Sequence, residues 1–481
     1  MLALFVVCPF FLFGCGKTSA PLTQYKIFVE YNHQEKNADC FEVVSYVNNS
    51  NNVFEEVYFH LYPNAFREGS QSKVVSMVNF DKAYPNGESF GNITIEGVCV
   101  ENQDCDFDVC GEDENLLRVP LAEKVYPGET VNISIDFCLK LPNINHRFGF
   151  GENVVNFGNF YPIACVYDEI EGFMTEKYIS NGDPFYSDCA DYEVTISCED
   201  NFNIVTSGKE ISKSGIKGRT TASYIAKSAR DFCFVISDRY EVVQEEVDGV
   251  LVSYYYYDDE NPQDFLQTGV DSLLTYSKLF GEYPYETLNI VKTGFVHGGM
   301  EYPGLVMISD AITNIQDYQY VIAHEVAHQW WYGAVGNNEY DEAWLDESLT
   351  EYSVALFYEN NDYGISYNQI VKNATETYKQ FVKVYSNVYE NLDTSMGRAL
   401  DEFKTEPEYV NCVYTKGILM FDAIRQEVGK ERFLKALKKY FKEYKFKNAS
   451  KDDLIAIFEQ VSGRKMEGLI NSWVEGLVAV I

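Results

Sequence analysis

His324-Glu325-Val326-Ala327-His328, followed by Glu342-Ala343-Trp344-Leu345-Asp346-Glu347-Ser348-Leu349, is the stretch on which the architecture of the second half of the chain turns. It has the form H-E-x-x-H, eighteen residues, then E. On a helix, His324 and His328 stand one turn apart and point the same way. Two imidazole nitrogens at that spacing can share one zinc ion at about 2.0–2.1 Å. Glu347, from a second helix, completes a His₂Glu set and leaves the fourth position open, as catalytic zinc sites do. Glu325 lies beside the ligands, where it can take a proton from a metal-activated water. The chain has only six histidines, so chance placement of two around a glutamate is improbable.

The rest of the composition bounds the answer. With 481 residues, the chain is long enough for two or three domains. Aromatics make up 15%, with 37 Tyr and 33 Phe, which favours a substantial β component. The formal net charge of −35 argues against nucleic acid as a partner, since phosphate binding needs clustered Lys and Arg. It suits a protein at or beyond the cell surface, although a generally acidic proteome explains it equally well. Of the twelve cysteines, Cys8 and Cys15 precede the folded part, nine lie from Cys40 to Cys233, and Cys412 stands alone. Cys99, Cys105, Cys110 and Cys138 could staple an acidic loop, or remain free thiols. No C-x-x-C pair exists for a second metal site.

Leu2 to Phe13 is an apolar run too short to span a bilayer. It fits the core of a signal peptide, residues 1–15. Its end, Leu12-Phe13-Gly14-Cys15, resembles a lipoprotein cleavage box, although Phe13 is bulky and no Lys or Arg precedes the run. The reading is export, with a lipid on Cys15 holding the protein to the outer face of the cell membrane, or secretion.

Residues 22–257 carry a strand-like pattern. Tyr25 to Tyr31 and Phe41 to Val47 are rich in aromatic and β-branched residues, with turn residues between them, and Phe54 to Leu61, Thr130 to Ile135 and Asp191 to Ile196 partly alternate at period two. This predicts an all-β sandwich or saddle-like domain. The character changes at Asp258-Asp259-Glu260-Asn261-Pro262, which predicts a boundary and a helix start. Gly281 and Pro284 end that helix, Leu288 to Val291 reads as a strand, and from Tyr318 the chain is mostly helical. Lys435 to Lys447 reads as a solvated helix face. The fold expected is thus multidomain: an N-terminal β domain, then a mostly α, thermolysin-like zinc peptidase domain over 258–481.

Four segments in order resemble the gluzincin aminopeptidases, the family of aminopeptidase N and leukotriene hydrolase. They are Gly298-Gly299-Met300-Glu301-Tyr302, the H-E-x-x-H run, the Glu347 segment and Tyr414-Thr415-Lys416-Gly417. The run Gly158-Asn159-Phe160-Tyr161-Pro162 is similar, less specifically, to the family's β domain. The resemblance implies one zinc per chain on His324, His328 and Glu347, with Glu325 as base. It implies that Tyr414 stabilises the oxyanion, a role that any acyl-transfer site must fill. It implies that Glu301, with Gly298, Gly299 and Met300, recognises a peptide's free N-terminus, since a carboxylate pairs with ammonium. Tyr302 stands where the family usually has Asn. His297 reads as a structural histidine, Trp330 and Trp331 as core packing, and Asp346 as facing away from Glu347. Glu351 shares a helix face with Glu347 and either orients a ligand histidine or is simply solvated. The family commonly adds further modules, whereas this sequence runs about 130 residues past Glu347, to Asn471-Ser472-Trp473-Val474-Glu475-Gly476 and a little beyond. A more open cleft, admitting longer peptides, is the expectation. Two alternatives stand beside the aminopeptidase: a thermolysin-like zinc endopeptidase, and a non-catalytic surface peptide-binding lipoprotein.

Overall fold

The computed structural model describes residues 21–389 and 392–480. The expected leader, with Cys8 and Cys15, lies outside them. No helix among the described residues is long and apolar enough to cross a membrane.

The first half is built of strands, as their alternation predicts. Gln24–Asn32 buries Tyr25, Ile27, Val29 and Tyr31 and exposes the residues between them. It pairs antiparallel with Asn37–Val47 and parallel with Ala190–Glu199. These strands belong to an eight-stranded sheet that also holds Thr130–Lys140, Asn92–Val100 and Arg219–Ala229. Two four-stranded sheets, one around Phe54–His60 and Leu116–Val125 and the other around Phe234–Ser237 and Val155–Phe157, share its hydrophobic core. Polar groups inside this core are paired around Asp231. Tyr161 Oη donates to Asp231 (2.7 Å), which also accepts from Asn159 Nδ2 (2.6 Å).

All ten described cysteines are free thiols. No staple joins Cys99 to Cys138, because on adjacent strands Cys99 stands opposite Ser134 and Cys138 opposite Thr94. The Cys138 thiol donates instead to the carboxylates of Asp39 and Glu96.

A separate, five-stranded mixed sheet runs in the order Glu241–Val247, Val250–Tyr256, Thr287–Thr293, Leu305–Ser309, Gly299–Met300. Its first two strands precede residue 258. The boundary expected at 257/258 therefore falls inside this unit, between a strand and the helix that covers it. The break in composition marks the change from strand to helix, whereas the change of sheet comes earlier, before Glu241. The helix Pro262–Phe280 begins after Asn261 with Pro at its first turn and ends at Gly281, as predicted.

Gly299–Met300 is the edge strand, antiparallel to Leu305–Ser309. Behind it lies the helix Ile315–Ala327, capped by the Asn314 side chain on the amides of Gln316 and Asp317. The helix Trp344–Asn360 is buried nearly all round, which suits a central element and explains why its sequence shows little amphipathic periodicity. Helices Lys416–Val428, Lys430–Tyr444, Lys451–Ser462 and Glu467–Val474 pack outside it. Lys435 and Lys438 face solvent, as the solvated-face reading requires.

Candidate active site

The metal-ligand set assembles from two helices. His324 and His328 close the helix Ile315–Ala327, and Glu347 opens the helix Trp344–Asn360. Nε2 of His324 and Nε2 of His328 are 3.1 Å apart. Glu347 Oε2 is 3.2 Å from the His328 nitrogen and 3.4 Å from the His324 nitrogen. Ligands at about 2.0–2.1 Å in a tetrahedron are about 3.3–3.4 Å from one another. The three donors thus outline one face of such a tetrahedron, and their chemistry fits zinc.

Groups further out fix the ring orientations. His324 Nδ1 bonds Glu351 Oε2 at 2.8 Å, and Glu351 Oε1 accepts from Tyr320 Oη at 2.5 Å. His328 Nδ1 bonds the Trp331 carbonyl at 2.8 Å. With each Nδ1 donating outward, both Nε2 lone pairs face the metal position. Glu351 is therefore the orienting carboxylate, one of the two readings its spacing allowed. Trp330 and Trp331 are buried, with their indole nitrogens on Gly281 O and Ser353 Oγ.

Glu325 projects from the same helix with Oε2 buried and unpartnered. Burial pushes its carboxyl up to about 7, against the pull of both imidazoles. Gly299 is required here for space, since a Cβ on it would overlap the Glu325 carboxylate. The edge strand thus runs hard against the base. The Gly298 carbonyl accepts from Ser309 N at 3.0 Å, so by alternation the polar groups of Gly299 point along the open sheet edge.

Tyr414 lies in a single turn, Asn411–Thr415, widened to π geometry. Its hydroxyl donates to Glu347 Oε1, and its ring stacks on His324 with centroids 5.9 Å apart. Two contacts hold that turn to the ligand helix. Ser348 Oγ donates to Val413 O at 2.6 Å, and Gly417 lies so close to Ser348 that a Cβ would overlap it. Lys416 is buried and spends its ammonium on the carbonyls of Thr394 (2.7 Å) and Trp473 (2.6 Å). It anchors the turn and does not line the cavity.

Glu301 is buried with Oε1 unpartnered. Ligand atoms of Glu301, Glu325 and His328 lie within 4.8 Å of one another, as do those of Asp183, Glu301 and Glu347. Gln329, next to His328, holds the turn that carries Glu301. Its side chain donates to the carbonyls of Glu301 (3.3 Å) and Tyr302 (3.2 Å) and accepts from Gly304 N (2.8 Å). Tyr302 reaches into the β domain and donates to Asn159 Oδ1 at 2.7 Å. In place of a short amide, the tyrosine ties the Glu301 turn to the run Gly158–Pro162.

These groups line a cavity of about 390 Å³ between the helices and the β domain. Gly298, Gly299, Glu301, His324, Glu325, His328, Glu347 and Tyr414 all face it. Met300 is buried behind the strand, its sulfur 2.9 Å from Arg147 Nη1. His297, expected to be structural, also faces the cavity, edge-on to His146. Sequence reasoning missed Asp183 and its ion-pair partner Arg147, both on the cavity wall. It also missed Glu339, which with Asp346 and Glu301 forms a buried carboxylate group. Asp346 is buried outside the cavity lining and accepts from Asn337 Nδ2 at 3.1 Å. No local pattern marks these residues, and Asp183 belongs to the strand-rich half of the chain.

An H-E-x-x-H helix, a glutamate from the next long helix and a glycine-rich edge strand thus converge on one cavity, with donors suited to a metal ion. Residues 266–473 match the family model described as "Peptidase family M1 domain". Aminopeptidase M1-D of Oryza sativa subsp. japonica is 28% identical over 222 residues, covering 43% of this chain and 25% of the relative. Aminopeptidase N of Lactococcus lactis subsp. cremoris is 28% identical over 203 residues, covering 39% of this chain and 23% of the relative. The match thus spans about a quarter of the length of these curated relatives. The fold extends the likeness to both halves. The crystal structure of an M1 zinc metallopeptidase from Deinococcus radiodurans superposes with a TM-score of 0.67 at 16% identity, covering 95% of each chain. A mutant of that metallopeptidase was crystallised with a Tyr-Ser-Ala substrate (TM-score 0.65, 16% identity, 95% of each chain).

Proposed function

We propose that this protein is a zinc-dependent aminopeptidase, which removes residues from the free N-terminus of peptides. The observation that carries the reading is the placement of Glu301 beside the metal ligands, with donor atoms within 4.8 Å of those of Glu325 and His328. In an amino acid the α-nitrogen lies about 2.5 Å from the carbonyl carbon. A site holding an ammonium at Glu301 and a carbonyl at the metal position therefore has room for one residue between them. Asp183 and Glu347 add negative charge to the same pocket.

Zinc, when bound, supplies Lewis-acid polarisation of the scissile carbonyl and lowers the pKa of water. Glu325 accepts the proton of the attacking water at its buried, unpartnered Oε2 and returns it to the leaving amine. The Tyr414 hydroxyl, close to Glu347 and over the His324 ring, turns to donate to the developing oxyanion. Glu301 fixes the ammonium, and the outward polar groups of Gly299 align the peptide backbone along the sheet edge.

The test compares one peptide with a free N-terminus and the same peptide N-acetylated, with Glu325→Gln as the blank. Cleavage of the free form alone is expected. Glu301→Ala is expected to lower kcat/KM on the free form by about 30-fold or more, the cost of truncating one partner of a buried charge pair. Equal cleavage of both forms would instead support the endopeptidase reading. No cleavage of either by zinc-loaded protein would support the peptide-binding one. We propose further that the protein is exported and held to the outer membrane face by lipid on Cys15, a reading supported by the apolar run and Leu12-Phe13-Gly14-Cys15. Incorporation of labelled fatty acid that Cys15→Ala abolishes is the expected result, and a soluble, unlabelled protein would refute it.

A further inference from the structure

A second cavity, about 1140 Å³, adjoins the catalytic one. Asn79, Ser180, Glu406 and Val410 line both, so only these residues' side chains separate the two. Its walls are largely apolar: Phe66, Val75, Met77, Phe80 and Val410. Met77 is 87% exposed and Val78 85%, an adjacent apolar pair on a part of the chain, residues 67–79, that forms no strand. Both side chains line the cavity, so they present an apolar surface to whatever enters it. The loop is nonetheless held in place. Glu406 accepts from Ser76 Oγ at 2.8 Å and from Asn79 Nδ2 at 3.1 Å, which ties it to the catalytic half at the junction of the two cavities.

The direction of a bound peptide decides what reaches this chamber. With the amine at Glu301 and the scissile carbonyl beside Gly299, an extended peptide runs antiparallel to the edge strand. It continues past Gly298 and His297, which face the catalytic cavity together with Asn79 and Glu406. Each residue advances about 3.3 Å, so three or four residues beyond the cleaved bond carry the chain about 10–13 Å onward.

Resting on the aminopeptidase reading, we propose that this chamber is a specificity site for the part of the peptide C-terminal to the cleaved bond. It takes apolar side chains some three to four residues past the N-terminus, and it makes long peptides with apolar residues there the preferred substrates.

The experiment uses zinc-loaded wild-type protein and the double variant Met77→Asp/Val78→Asp. Both side chains are exposed, so the substitutions spare the core. Three substrates are compared: leucine p-nitroanilide, which has no peptide beyond the scissile bond, the pentapeptide Leu-Gly-Gly-Phe-Leu, and Leu-Gly-Gly-Gly-Asp. Wild type is expected to favour the apolar pentapeptide over the polar one by about tenfold or more in kcat/KM, the discrimination a single apolar pocket achieves. In the double variant, the ratio of apolar pentapeptide to anilide is expected to fall by a similar factor. Equal rates on the two pentapeptides, or a ratio unchanged in the variant, would overturn the proposal while leaving the aminopeptidase standing. So would a dimer in sedimentation that the variant dissolves without altering the ratio, since a second copy would then be the occupant. Failure of wild type to cleave the anilide would instead overturn the aminopeptidase reading, and this proposal with it.

Discussion

Removing the Glu351 carboxylate is expected to weaken zinc binding although Glu351 never touches the metal position. Its Oε2 is 2.8 Å from His324 Nδ1, and its Oε1 takes the Tyr320 hydroxyl at 2.5 Å. A buried hydrogen bond to a charged acceptor contributes about 1.5–3 kcal/mol. Without it, the His324 ring loses both its preferred tautomer and its rotational restraint. At about 1.4 kcal/mol per tenfold, Glu351→Ala then lowers zinc affinity by about 10–150-fold. Outer groups around metal-ligating histidines typically give losses of about 10–100-fold, in the same range. Glu351→Gln keeps an acceptor but not the charge, and falls between wild type and the alanine variant. The assay is zinc competition against a chelator of known affinity, with thermal melts of the metal-free proteins as a check on folding. Zinc affinity in Glu351→Ala within twofold of wild type would refute the reasoning, as would Glu351→Gln being the worse of the two.

Three further outcomes follow from the same geometry. Tyr414→Phe removes the donor facing the developing oxyanion and is expected to cut kcat by about 10²–10³ with KM nearly unchanged; a KM effect alone would place the hydroxyl in ground-state binding. Gly299→Ala is expected to displace the Glu325 carboxylate that its Cβ would overlap, so activity collapses in a protein that still melts cooperatively and binds zinc; full activity would show that the edge strand can give way. The acid limb of kcat/KM should follow Glu325. Burial pushes this carboxyl up to about 7, and below its pKa it is protonated and cannot accept a proton, so activity falls as pH falls. A bound dication favours the charged form, which sets the midpoint of the zinc-loaded protein below 7. A profile flat from about pH 5 to 7 would remove Glu325 as the titrating base.

The parts of the site that were legible beforehand are those set by short-range geometry. His324 and His328 are four residues apart on one helix, and a 3.6-residue period allows no other mutual placement. Glu347 follows from a fixed spacing onto the next long helix, and Gly298 to Glu301 and Tyr414 to Gly417 from short motifs. The partial alternation of Thr130 to Ile135 and Asp191 to Ile196 pointed to strands for the same reason, that strand geometry has period two. Glu351 was only half legible: helix geometry placed it on the right face, but its partner Tyr320 comes from another helix.

Sequence alone therefore pointed to the candidate ligands and the candidate base, and it determined the β-then-α order and the start of the helix at Pro262. Tertiary structure decided the rest. It sent Glu241–Val247 and Val250–Tyr256 into the catalytic sheet, because strand partnership is chosen by long-range hydrogen bonding and not by local composition. It brought Asp183 and Arg147 from the β domain to the cavity wall and buried Glu339 beside Asp346. It also set the loop of residues 67–79 against Glu406, more than three hundred positions away, where together they shape the second cavity. Local periodicity specifies which face of an element is apolar or carries a ligand, whereas which elements meet depends on contacts between residues far apart in the chain, and these leave no pattern in any one segment.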